Sequence, residues 1–588
     1  MSIASYVQRE EIISPRTTRA PRKRRQPERA AAAEKESTVS PQLGRKHPSP
    51  HVSHDDVAPA PEHQTPPWGQ PDISMSAKLR RGDASAGIEA RLKIPPLLRP
   101  LLRAYVLGYA SSTLPRIITL LLTHLTRYGR KPPNIAGNRK PDVDFITSLK
   151  AILKTPLDCQ RFPTFCATLV GGSTILEARD FTLLSLNTSV PSPKSSTFSL
   201  IPLRKAIGKL FAGWSGLAQQ RLSVWISTFI AGWFSLSLLQ SKKSDAYVDY
   251  VPNPDAVEGN SLRPVRFAGR TMDLTLFAVC RALDVVVGEL WAIRKTRRIR
   301  QGKWTKLESS ISALTDSTIF AASSALIMWA FMYTPSRLPG SYNKWIASAA
   351  QTDQRLLTAL RRMRWGDLVY GVETGQAELL ESMCADYKMP LEWGDPVKTI
   401  PIPCELYHMG RGPSCEYHAL SRFSSSVVWA FSTYLPLNLL LVLRNPSPAS
   451  LKGAIKSALR SSTFLAAFIA FFYYGVCLAR TRLGPKILGT SLVARRQLDS
   501  GLCVSAGCAL CGWSILLENA GRRKDISLFV VPRALATLLP RRYDWEKRQR
   551  ETIAFAAATT VVFTCIRERP QRVRGVLGKV LRAVLVAE

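Results

Sequence analysis

The 588-residue sequence is 46% hydrophobic with a mean hydropathy of -0.02, totals that by themselves suit two or three soluble domains. It carries 80 Lys and Arg against 43 Asp and Glu, a formal net charge of +37; the excess brackets apolar runs and accompanies no recognisable nucleic-acid module, so no nucleic-acid partner is expected and anionic lipid headgroups are. Eleven cysteines scattered mostly as single residues through apolar runs exclude a secreted disulfide framework.

Residues 1–92 are rich in Pro, Ser, Ala and charge, with the basic run Arg22-Lys-Arg-Arg25 and the spaced histidines His47, His51, His54 and His63. Such a stretch buries too little apolar area to offset its ordering entropy, which predicts a disordered basic tail. A nuclear address or a lipid-surface contact is the alternative for the basic run. Glu10 and Glu11 precede any apolar stretch, against a secretory signal.

Residues 93–334 form a first membrane block with five apolar elements. They carry, in order, Ser111-Ser-Thr-Leu-Pro115 followed by Arg116; Thr164-Phe-Cys-Ala167 followed by Glu177 and Arg179; Ala231-Gly-Trp-Phe-Ser-Leu236; Asp273-Leu-Thr-Leu-Phe-Ala-Val-Cys-Arg-Ala-Leu283; and Thr318-Ile-Phe-Ala-Ala322. Ser317–Tyr333 has no charge and approaches the ~18–20 residues needed to cross a hydrocarbon core. Trp329 and Tyr333 near its end suit the headgroup layer.

Residues 335–423 change character. Gln354–Tyr387 is polar and helix-prone, with Leu356, Leu357, Leu360 and Met363 at helical spacing, which predicts an amphipathic hairpin on the membrane surface. Pro and Gly then predict a loop over Pro401–His418.

Residues 424–567 form a second block that repeats the first in order: Ser432-Thr-Tyr-Leu-Pro436, Thr463-Phe-Leu-Ala466, Cys511-Gly-Trp-Ser514, Asp525-Ile-Ser-Leu-Phe-Val-Val-Pro-Arg-Ala-Leu535 and Thr552-Ile-Ala-Phe-Ala-Ala557. The Asp…Arg-Ala-Leu elements match at seven of eleven positions. An internal repeat of this size points to a duplicated architectural unit. Val427–Leu443 and Ser461–Leu478 are free of charge, and 568–588 read as a basic amphipathic tail. The expected fold is an all-α, polytopic membrane protein of two homologous helical blocks, about 8–10 apolar helices in all, joined by a Cys/His-containing segment. Basic loops before the fifth element of each half, Arg294–Lys306 and Arg541–Arg550, favour the same side of the membrane and hence parallel blocks.

Three groups of residues are candidates for function. Cys404, His408, Cys415 and His418 form a Cys-x3-His-x6-Cys-x2-His pattern; zinc takes four N or S ligands, and a turn rich in Gly and Pro can bring two such pairs together. A cysteine-bridged or hydrogen-bonded loop cap is the alternative, and a catalytic thiol–imidazole pair would lack an orienting acid. Arg281 and Arg533 lie in apolar surroundings, each eight residues after an Asp expected to cap its helix. They are candidates for substrate contact, for a buried pair with Glu177, or for snorkelling. Thr228 and Gly232, and likewise Cys508 and Gly512, place small residues four apart, where helices pack closely or a homo-oligomer forms. No phosphate loop, dinucleotide fingerprint, zincin motif or nucleophile elbow appears, so no enzyme activity is expected.

The run Pro403-Cys404-Glu405…His408…Ser414-Cys415…His418 before an apolar helix resembles the cysteine-rich segment of the transmembrane protein 135 family. The paired blocks with Gly-Trp and Arg-Ala-Leu elements resemble its fungal members; the family is related to the inner-membrane translocase (Tim) superfamily. The resemblance spans roughly residues 96–570 and departs at Met409-Gly410, where His-Pro is expected. It implies a multi-pass protein of peroxisomal or mitochondrial membranes, associated with lipid metabolism and organelle dynamics. The expected function is to organise or transport lipids or small metabolites. A secondary carrier with Arg281 and Arg533 in its pathway and a metal-binding protein using the Cys-His loop are the alternatives.

Overall fold

A computed structural model describes residues 95–128, 145–185, 215–252, 262–443 and 446–585. The expected N-terminal tail, with Arg22–Arg25 and the four histidines, lies outside the described residues.

The described chain is predominantly helical. α1 (Arg99–Tyr128) contains Pro115, α2 (Phe145–Lys154) is short, and α3 (Phe162–Ser185) and α4 (Gly216–Ser241) are long and apolar. Strands β1 (Val248–Pro252) and β2 (Leu262–Ala268) precede α5 (Met272–Arg300). α6 (Lys306–Tyr333) opens on a capping box, in which Thr305 accepts from the Glu308 N–H and Glu308 accepts from that of Thr305. The linker holds α7 (Gly340–Ala350), α8 (Gln354–Trp365), α9 (Ala377–Asp386) and the single turn α10 (Cys404–Tyr407). α11 (Cys415–Val442) and α12 (Pro448–Leu478) form a tight antiparallel hairpin. Then come α13 (Gly484–Leu488), α14 (Leu492–Gln497), α15 (Cys503–Cys511), α16 (Ala520–Leu538), β3 (Tyr543–Asp544), α17 (Arg548–Glu568) and α18 (Gly575–Leu585).

Among the described residues, five helical stretches are long and apolar enough to cross a membrane: α4, α6, α11, the run Pro448–Leu488 and the run Leu492–Leu517. This is the make-up of a multi-pass membrane protein. One small antiparallel sheet, ordered β1-β2-β3, is an addition to the all-α expectation.

The helices do not sort at the linker into the separate blocks 93–334 and 424–567. α1 packs on α3 and α3 on α4, as α11 packs on α12 and α12 on α15. The fifth apolar helix of each half, however, packs in the other half: α17 lies against α4 and α5, while α6 lies against α15 and α16. Close approach between small residues holds both contacts. A Cβ on Gly232 would stand 3.1 Å from the Ala556 Cα, and one on Gly512 would stand 2.4 Å from the Ala321 Cα. Phe165 meets Phe555 with ring centroids 5.7 Å apart, and Phe464 meets Phe320 at 5.8 Å.

Three further expectations are corrected. The stripe Leu356, Leu357, Leu360 and Met363 of α8 faces the largest buried cluster among the described residues, against α6, rather than a membrane surface. The basic amphipathic tail expected from residue 568 is, as far as Leu585, packed into the protein: α18 lies on α1, α16 and α17, and Val573 and Val584 are buried. Asp525 lies inside α16 and accepts from the Val576 N–H of α18 instead of capping its own helix.

Candidate metal centre and apolar cavities

The Pro401–His418 segment is built by turns. Ile400–Pro401 is cis, α10 presents Cys404, and Met409, Gly410 and Gly412 take left-handed conformations with φ of 53, 76 and 86°. Met409 tolerates this because its Sδ is held by the Asp353 N–H at 3.3 Å and by Arg422 Nη2 at 3.4 Å. Ser414 then caps α11 by accepting from the Tyr417 N–H at 3.2 Å, which makes Cys415 its first residue.

This path brings ligand atoms of Cys404, His408 and Cys415 within 4.8 Å of one another, a group that could hold a metal ion. His408 is fully buried, and its Nδ1 lies 2.7 Å from the Gly412 carbonyl. A ring that donates there turns the bare Nε2 lone pair into the cluster. What faces Nε2, at 3.5 Å, is the Sγ of Cys477 on α12. The neighbouring Cys477 thiol, together with the Arg480 guanidinium, His408 and Cys415, holds the Cys404 thiol below its ordinary range against the opposing effect of burial. All eleven cysteines are free thiols in this structure, so the Cys404–Cys415 bridge weighed for this loop is not formed. His418 is set apart from the group: its ring stacks on that of His408, centroids 4.4 Å and planes 15° apart, and neither of its nitrogens has a hydrogen-bond partner.

Beneath the cluster lies a network that the sequence reading missed. Arg480 makes two hydrogen bonds to Asp499, at 2.5 and 2.9 Å, donates to the Ile402 carbonyl at 2.7 Å, and stands 3.7 Å above the Tyr407 ring. The Tyr370 hydroxyl donates to Asp499 and accepts from the Ile402 N–H. Arg480 Nη1 also reaches the Cys404 Sγ at 3.5 Å. One signal was available: Asp499 is the sole acid between Glu416 and Glu518.

Two apolar cavities form the second feature. One, of about 380 Å³, is enclosed by α1, α3, α5, α17 and α18; the other, of about 400 Å³, by α6, α7, α11, α12 and α16. Their walls are built from residues at matching positions of the aligned halves: Phe165 and Phe464, Leu274 and Ile526, Phe277 and Phe529, Phe555 and Phe320, Thr559 and Ser324. The match extends to their lids. Leu577 and Leu581 of α18 close the first, and Tyr342 and Ile346 of α7 close the second. Those helices follow Pro570-Gln-Arg-Val-Arg-Gly575 and Pro335-Ser-Arg-Leu-Pro-Gly340, a correspondence hidden because one copy sits in the linker and the other at the C-terminal end.

No family model, curated protein or solved structure matches this chain.

Arg281 and Arg533 fall at matching places beside the two cavities. Arg281 lines the first, is buried, donates through Nη1 to the Arg574 carbonyl at 3.3 Å, and leaves its Nε without a partner. Arg533 pairs with Asp273 at 3.3 Å and lies 5.9 Å from the ring of Tyr342, which lines the second cavity. Glu177 partners neither arginine; its carboxylate meets Arg567. Thr228 and Cys508 are buried one turn from Gly232 and Gly512, whose close contacts lie across α17 and α6 respectively.

Proposed function

We propose that this membrane protein holds apolar molecules with an anionic end, such as fatty acids or lipids, in two matching cavities of a duplicated helical bundle, and that it organises or moves them without chemically transforming them. The observation that carries this reading is the pair of cavities lined by corresponding residues. Their volumes fall in the range of small-molecule sites. The buried, unpartnered Nε of Arg281 offers a donor that a carboxylate or phosphate would satisfy.

The sequence repeat and the exchanged fifth helices support two copies related by an approximate two-fold axis. Asp273 of α5 meets Arg533 of α16, and Arg281 of α5 feels the charge of Asp525 of α16, so the two helices cross antiparallel. Neither is among the five apolar enough to span. Placed along the membrane plane, they would fit the parallel orientation that the basic loops favour. The resemblance to the transmembrane protein 135 family supports a peroxisomal or mitochondrial membrane; the excess of basic charge supports anionic lipids as partners, and the small residues four apart support a second copy of the chain.

The test is photolabelling of the purified full chain in nanodiscs with a photoactivatable palmitate, with unlabelled palmitate as competitor. Competed label on α3, α5, α12 and α16 is expected, and Ala278→Trp should abolish it in the first cavity only. Label that is not competed, or that Ala278→Trp leaves in place, overturns the reading. Flux of the same fatty acid across liposomes that drops with Arg281→Ala and Arg533→Ala favours the carrier form. A second property, metal binding in the linker, is favoured by the Cys404–His408–Cys415 group.

A further inference from the structure

The geometry points to a structural zinc site in which Cys477 of α12, rather than His418, completes a Cys3His set with Cys404, His408 and Cys415. The inference rests on the metal-binding reading of the linker and adds its fourth ligand, the identity of the ion and what the ion does.

Zinc–sulfur and zinc–nitrogen bonds of about 2.3 and 2.0 Å in a tetrahedron place S and N ligand atoms about 3.5 Å apart. Cys477 Sγ and His408 Nε2 stand 3.5 Å apart. Ligand atoms of Cys404, His408 and Cys415 lie within 4.8 Å of one another, and Cys477 approaches this group from α12 through its contact with His408. Three sulfurs and one imidazole nitrogen thus converge from three segments, with the His408 ring fixed by the Gly412 carbonyl behind it. Three soft sulfurs and a nitrogen with no carboxylate among them select zinc over calcium, magnesium or manganese. The carboxylates around the site are engaged elsewhere, Asp499 by Arg480 and Tyr370 and Glu416 by Arg482.

His418 is a poor fourth ligand where it stands. Its ring lies face to face with that of His408, so both nitrogens point around the stack rather than at a common centre with the sulfurs. It serves as the apolar floor of the site, edge-on to Tyr473 with ring centroids 5.2 Å apart.

The position gives the ion a task. Val442 and Pro448 mark one end of the α11–α12 hairpin; Cys415 at the start of α11 and Cys477 near the end of α12 mark the other. Zinc there staples the open end of the hairpin and fastens the linker, through Cys404 and His408, onto it. All four ligands are protein groups, as in structural rather than catalytic zinc sites.

The experiment uses the full-length protein purified in detergent, with zinc read by elemental analysis and thiols by alkylation and mass spectrometry. About one zinc per chain is expected, with Cys404, Cys415 and Cys477 protected from alkylation together and released together by a chelator. Cys477→Ser should lower zinc affinity by at least the ~10–100-fold that loss of an outer-shell partner costs, whereas His418→Ala and Cys565→Ser keep the ion. In the cobalt-substituted protein, Cys477→Ser should cut the thiolate charge-transfer band by about a third, one sulfur in three. The wild-type alkylation pattern needs no variant to fold. Zinc retained in Cys477→Ser but lost in Cys404→Ser or His418→Ala removes Cys477 as a ligand and leaves the metal reading standing. A chain that carries no zinc after growth and purification with zinc present, or one with a Cys404–Cys415 disulfide, overturns both.

Discussion

At the scale of single residues, the centre of the second half is held by one buried ion pair. Arg480 and Asp499 have side chains only 5% and 2% exposed, and their two hydrogen bonds are completed by Tyr370, Ile402 and the ring of Tyr407. Charges this deep cost so much desolvation that removing one partner is worse than removing both. Asp499→Ala should therefore destabilise the protein by about 3–5 kcal/mol, read as a fall in the thermal midpoint of the detergent-solubilised chain. Arg480→Met combined with Asp499→Leu should recover much of that loss. A double variant as unstable as Asp499→Ala would show that the pair is not the unit that matters. The sequence could expose Asp499 as a solitary acid, but not its partner: Arg480 sits 19 positions away across α13, a distance that no helical or strand period connects.

At the scale of elements, small residues decide which helices touch. Gly512 meets the backbone of α6 more tightly than Gly232 meets that of α17, with a Cβ at 2.4 against 3.1 Å from the nearest Cα. Gly512→Ala should thus lower the thermal midpoint clearly, and Gly232→Ala much less; an equal effect would contradict the difference in spacing. The spacing of small residues in Thr228-x3-Gly232 and Cys508-x3-Gly512 made both close-packing faces legible. Their partners were not, because the same face serves a neighbour in sequence, a distant helix or a second copy equally well. The stripe of α8 teaches the same lesson. Leu356, Leu357, Leu360 and Met363 announce an apolar face through their period, yet a period does not say whether lipid or protein covers it; here it is α6 and the core around Tyr333 and Met383. The Cys-His group was legible in Cys404, His408 and Cys415, whereas the contact of Cys477 with His408 was hidden, because Cys477 reads as one more small residue in an apolar run.

At the scale of the whole molecule, the halves are joined by exchange rather than by a hinge. α6 leaves its own half to pack on α15 and α16, and α17 crosses back to α4 and α5. Paired cysteines test this directly in the full-length protein. Gly232→Cys with Ala556→Cys should cross-link under mild oxidation, as should Gly512→Cys with Ala321→Cys, while Gly232→Cys with Ala321→Cys should not; the linked peptides are read by mass spectrometry. A 232–321 link would restore two self-contained blocks. The exchange also bears on how the chain is made. Emerging from the ribosome in order, α4 and α5 must stay without their final neighbour until Arg548–Glu568 has been synthesised, and the first cavity lacks its lid until Gly575–Leu585 follows. The N-terminal half is therefore the last part of the molecule to be finished, and a chain cut short anywhere before its closing helices would present apolar surface to lipid and to the quality-control machinery instead of a closed bundle.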